Sequence, residues 1–144
     1  MHMRKFYRQL SVLCLALAAP SLVMAEIDVQ RPILCAIRNV ADCGADYACT
    51  EVKPDDVALP DFFEIDLDNK VISSVGSVNA GVSPIKLVDR VNGKLILQGG
   101  DESGDNLRGA VGWTLTVNEN DGKVVIAGVS DGFALVVFGS CVQK

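Results

Sequence analysis

From residue 33 onwards, apolar and polar residues alternate in short runs broken by Gly, Asn and Asp. Trp113, Leu115 and Val117 alternate with Thr114 and Thr116, and Leu95 and Leu97 flank Ile96 before Gly99-Gly100. A period of two is the mark of a strand with one buried face. Strands are expected near 33–38, 47–52, 62–67, 70–76, 84–91, 94–99, 110–118, 123–130 and 133–140. Beyond residue 25 no segment has a helical period. Lys53-Pro54-Asp55-Asp56 resembles a helix start and predicts one short helical turn over 54–58. Phe133 to Phe138 is apolar on both faces, which suits a central strand or one that closes a barrel against the first. Many short strands joined by turns predict an all-β antiparallel meander of about eight or nine strands, closed as a small barrel, with a β-sandwich as the alternative.

The turns share a pattern. A Lys follows a short polar turn at Leu67-Asp68-Asn69-Lys70, at Val91-Asn92-Gly93-Lys94 and at Asn120-Asp121-Gly122-Lys123. Asn and Gly accept the left-handed backbone that ends a three-residue loop with a bulge. Such loops would pair Asp66 with Lys70 and Ile65 with Val71. They would also pair Val117 with Val125, Leu115 with Ala127 and Trp113 with Val129. At Gly93, a three-residue loop keeps Ile85, Leu87, Val91, Leu95 and Leu97 on one face, whereas a two-residue loop mixes Leu95 and Leu97 with Lys86 and Arg90. Because a slip of one residue reverses every side chain, three residues are expected there.

The first 25 residues differ from the rest. Arg4, Lys5 and Arg8 precede an apolar run from Leu10 to Ala19. Pro20 and Val23-Met24-Ala25 follow. This order of basic, apolar and small residues predicts a cleavable signal peptide over 1–25. The run is short for a span of roughly 30 Å of hydrocarbon, and Cys14 lies too deep in it for a lipoprotein anchor. The expected mature domain is 26–144, a single unit in the periplasm or secreted, with no membrane attachment after cleavage.

Removing the leader takes three of the 13 basic residues, none of the 18 acids, and His2, the one histidine. Ten bases then face eighteen acids, a net charge of −8. Such a surface argues against nucleic acid, whose phosphates need a basic face. With no histidine in the mature chain, Ser73, Ser74 and Ser77 cannot join a Ser-His-Asp triad. Four cysteines remain: Cys35, Cys43, Cys49 and Cys141. In an exported small domain they read as two disulfides, and four cysteines admit three pairings. The preferred pairing is Cys43–Cys49, across a hairpin tip, and Cys35–Cys141, tying the first strand to the last. There is neither the Cys-x-x-Cys of a redox or haem site nor the histidine of a zinc site.

Several residues are candidates for chemistry. Asp101, Ser103 and Asp105 alternate like the oxygen ligands of a calcium loop, but Asn106 stands where that loop needs Gly, and Gly112 where it needs Glu. A solvated loop is the plainer reading, so no metal or other cofactor is expected. Asp55-Asp56 and Asp66/Asp68 are most simply solvated turns. Asp89 falls on the apolar face with Leu87 and Val91 in the expected register. A buried carboxylate there would need a partner such as Arg108, and the alternative is that a twist or bulge lets it reach water. Trp113 either lines a ligand pocket at a barrel mouth or is a core residue under the Arg108-Gly109 turn.

Across the chain, an early Cys triplet, a Leu-Pro before Asp61-Phe62-Phe63-Glu64-Ile65-Asp66, Leu95-Ile96-Leu97-Gln98-Gly99, Trp113-Thr114-Leu115 and Val136-Val137-Phe138-Gly139-Ser140-Cys141 follow in order. This order resembles small exported four-cysteine proteobacterial proteins of unknown function. The resemblance implies export and disulfides and names no activity. The leading functional expectation is a non-enzymatic exported binding domain for a protein partner. An inhibitor-like role toward a basic partner, such as a cell-wall lytic enzyme, would suit the acidic surface. The alternative is a carrier of a small apolar ligand in the barrel cavity. An enzyme using carboxylates alone would need two of them converging in a cleft, roughly 5–9.5 Å apart.

Overall fold

The computed structural model describes residues 26–76, 81–101 and 110–144. Among the described residues nine strands form one antiparallel sheet: β1 (Ile33–Gly44), β2 (Thr50–Val52), β3 (Phe62–Asp66), β4 (Val71–Val75), β5 (Val82–Val91), β6 (Lys94–Asp101), β7 (Val111–Asn118), β8 (Lys123–Ser130) and β9 (Phe133–Gln143). From β3 onwards each strand pairs with the next, and β9 returns to pair with β1. Eight strands thus close into a barrel, and β2 is an extra strand beside the far half of β1. Closure chooses the barrel over the sandwich. The expected turn after Lys53 is a single 3-10 turn, Pro54–Val57, stopped by Ala58 in the left-handed region.

β1 is longer than the side-chain pattern suggests, and β2 is shorter. β1 pairs with β9 along its whole length, from Ile33↔Gln143 to Gly44↔Phe133, with a bulge at Arg38. The bulge resets the alternation, which hides the second half of the strand from a period-two reading. Residues 47–49 belong to a loop rather than to β2. Cys35 and Cys141 face each other directly in the β1–β9 register and are bonded, as are Cys43 and Cys49. Both expected disulfides are present.

The hairpin registers differ from expectation at all three turns. β3 and β4 pair Asp66 with Val71, and β7 and β8 pair Val117 with Val124 and continue to Asn118 and Lys123, so both loops have four residues. In the second loop the Gly122 amide donates to the Asn118 carbonyl at 2.8 Å with φ at +68°. That bond makes the loop a residue longer than a bulged turn. Between β5 and β6 the loop has two residues, Asn92 and Gly93, with φ of 51° and 71°. Two consecutive left-handed residues make the tight turn that matches strand twist. Its phase conflict is absorbed upstream, where a bulge between Ile85 and Leu87 turns Ile85 inward and Leu87 outward.

These registers decide what lies inside. Trp113, Leu115 and Val117 of β7 face inward opposite Gly128, Ile126 and Val124. Val125, Ala127 and Val129, expected inside, point out. The core is filled by side chains with no exposed area, among them Ile33, Ile65, Leu95, Leu97 and Leu115. At one end Ile27 joins this core while its amide donates to the Glu119 carbonyl. Gln143 holds the adjoining segment, accepting from the Asp28 amide and donating to the Pro32 carbonyl.

The outward rows can be read across strands. Thr116, Val125 and Phe138 stand side by side on β7, β8 and β9, and Thr114, Ala127 and Val136 form the next row. Asn39 and Ala41 continue these two rows on β1.

Candidate interaction site

Beyond the bulge at Arg38, β1 leaves β3, stays paired with β9 and β2, and carries a loop that the chain locks in three ways. Cys43 and Cys49 close Gly44-Ala45-Asp46-Tyr47-Ala48 into a ring. The Tyr47 hydroxyl donates to Asp42 Oδ1 at 2.8 Å. The Tyr47 ring lies over Gly44, where an added Cβ would sit only 1.9 Å from the ring. Gly44 is therefore the residue that lets the tyrosine fold back. Tyr47 still keeps 43 % of its surface exposed, and its neighbours from Ala45 to Thr50 are exposed as well.

The stem is also ordered. Asp42 pairs with Thr50, and the Asn39 side chain donates to Glu51 at 2.7 Å. The 3-10 turn follows at once, with Asp56 accepting from the Lys53 amide. Between Arg38 and Asp61 the chain has six acids (Asp42, Asp46, Glu51, Asp55, Asp56 and Asp61) against two bases, Arg38 and Lys53. A rigid loop with an exposed aromatic residue is thus set in a negative field.

The residues singled out from sequence do not converge. Trp113 is a core residue: its Nε1 donates to Ser83 Oγ at 2.8 Å, and its indole packs where a Cβ on Gly99 would be. Asp89 is exposed, because the bulge between Ile85 and Leu87 places Leu87, Asp89 and Val91 on the outer side. Its carboxylate accepts from the Arg90 amide at 2.7 Å. Arg108, Ser103 and Asp105 lie outside the described residues. Asp101 ends β6 opposite Val111, beside a shallow depression of about 320 Å3 lined by Val82, Pro84, Lys86 and Gly100. A second open cleft, of about 250 Å3, lies by Ile27, Asn120 and Gln143. Among the described residues, no three His, Cys, Asp or Glu side chains are placed to hold a metal ion.

Tyr47 was inside the disulfide ring in the sequence but had no signal of its own. Its role depends on folding back over Gly44, which residue spacing does not reveal. In comparisons with family models, curated proteins and solved structures, the chain matches none.

Proposed function

We propose that the protein is an exported, non-enzymatic binding domain that docks on a basic protein partner through its disulfide-closed loop. The observation that carries this reading is the triple restraint on Tyr47 within an exposed ring flanked by acids. A loop held in one conformation loses little entropy on binding. Tyrosine offers a large amphipathic surface with few rotatable bonds, which makes it a frequent anchor at interfaces. The surrounding acids would steer a basic partner towards it. A cell-wall lytic enzyme of basic charge fits this chemistry, and an inhibitor-like role follows if the loop enters its cleft.

Export rests on the leader and is supported by the two disulfides, which fit an oxidising compartment. Among the described residues no helix is long and apolar enough to cross a membrane. The barrel interior is apolar, the inverse of a membrane-spanning barrel, whose interior is polar. That polarity supports a domain working in water. The packed interior also favours a surface-binding role over a carrier, which would need space inside the barrel.

The test is calorimetric titration of the oxidised protein against purified basic cell-wall lytic enzymes, alongside assays of their lytic activity. Binding should weaken with salt, and Tyr47→Ala or Asp46→Lys should raise Kd at least about tenfold, a loss of about 1.4 kcal/mol. Absence of binding across the panel, or binding indifferent to both substitutions, would overturn the proposal.

A further inference from the structure

We propose that the outer face of β6, β7, β8 and β9 is an interface with a second copy of this chain, related by a two-fold axis that lies in the plane of the face and crosses β8 at right angles. Among the described residues, no ionisable side chain points outward on these four strands between Lys94 and Lys123 at one rim and Asp131 at the other, and exposed Arg38 at the β1 bulge marks the flank of the face. Val125, Val129 and Phe138 are 41 %, 56 % and 46 % exposed on it. On other strands charged side chains interrupt the exposed apolar ones, as at Glu64 on β3 and Asp89 on β5. A contiguous apolar area of this kind marks an interaction site.

Charge decides the occupant. Two copies that each carry −8 repel each other over most of their surface, and this face is where they can meet without opposing like charges. Its rims are also self-complementary. β6 and β8 run in the same direction, so Lys94 and Lys123 share one end of the face, where Asp121 pairs with Lys123 and leaves a net positive rim, while Asp131 in the turn after β8 lies at the other. A two-fold axis near Ala127 turns β8 end over end onto its mate. Lys123 of each copy then approaches Asp131 of the other. This is the isologous arrangement of closed dimers, with the same patch on both sides.

Size sets the strength. Four strands at about 4.8 Å spacing and seven residues at about 3.3 Å give a face of roughly 19 by 23 Å. That is on the order of 450 Å2, below the roughly 800 Å2 per partner of a standard stable interface. The expected dimer is therefore reversible and depends on concentration.

Sedimentation equilibrium of the oxidised protein across the micromolar to near-millimolar range tests this. The expected result is a monomer–dimer equilibrium. Val129→Lys should weaken it at least about tenfold while the near-ultraviolet circular dichroism stays unchanged. Phe138→Ser is the second variant if that one misfolds. Lys94→Glu with Lys123→Glu should also weaken it, and adding Asp131→Lys should recover part of the loss. A wild-type protein that stays monomeric throughout overturns the proposal. So does a folded Val129→Lys or Phe138→Ser variant that dimerises as well as wild type, and so do rim substitutions that change nothing.

Discussion

Two of the places where the barrel exposes apolar side chains are surrounded differently. On β5, Leu87, Val88 and Val91 are 44–47 % exposed, nearly the same as Val125 and Phe138 on the opposite side. The β5 side is also an open edge. β4 pairs with β5 through only Val82, Ser83 and Pro84, whereas β1 and β9 pair through eleven residues. In an antiparallel ladder alternate residues turn their amides away from the partner. Beyond the two-residue turn, those of Val88 and Arg90 point to the open side. That edge is guarded by a bulge at its start, by Lys86, and by the Asp89 carboxylate bonded to the Arg90 amide. Arg90 is in turn held by Glu119 at 3.2 Å. These are the devices by which edge strands resist pairing. The β8–β9 face has none of them. Exposure alone therefore does not identify an interface, and the charge placed around it does.

The largest expected effect comes from opening the closed seam. Replacing Cys35 and Cys141 together by Ser should cost about 4–5 kcal/mol in the chain-entropy model, since the bond spans 106 residues. Urea unfolding should register this as a lower midpoint. The Cys43–Cys49 ring spans six residues, and its loss should cost only about 2 kcal/mol. Leu97→Ala, in the core between the two regions, should cost about 3 kcal/mol by the same measurement.

Asp89→Ala sharpens the comparison directly. It frees the Arg90 amide and removes the edge's negative guard, at a stability cost of about 1 kcal/mol. Light scattering on heating should show earlier aggregation than in the wild type. Unchanged scattering would mean that the bulge and Lys86 suffice to guard the edge.

The smallest effect is on pH dependence. Asp66 accepts from both the amide and the side chain of Asn69, and these bonds hold its pKa below the ordinary 3.8. Asp121 is lowered likewise, chiefly by the Lys123 ammonium, which is itself raised above 10.5 by Asp121. A lowered carboxyl stabilises the fold above its unfolded pKa, and the contribution is lost as pH falls through its folded value. Both turns should thus loosen only below pH 3.8, and carboxyl chemical shifts followed by NMR should place both midpoints there. The raised lysine contributes below 10.5 and stops contributing as pH rises through its folded value.

Much of the fold was legible because it depends on local chemistry. The nine strands, the 3-10 turn at Pro54 and the two disulfides follow from alternation, from proline at a helix start, and from cysteines near the ends of the first and last strands. The candidate loop was legible as a disulfide ring, although the fold of Tyr47 over Gly44 was not. The expected register put Asp89 on the apolar face, and a bulge between Ile85 and Leu87, the other reading given for it, turns it to water, although the position of that bulge has no mark in the sequence.

The amino-acid order by itself determined that this protein is an acidic, twice-bridged, all-β domain. Tertiary structure decided the phase of each hairpin, and with it the inward turn of Val124 and Ile126 and the outward turn of Val125 and Val129. The physical reason is the two-residue period of a strand. Either phase of β8 offers apolar side chains to the core. The choice rests on a longer loop at Gly122 and on what β7 and β9 present on either side.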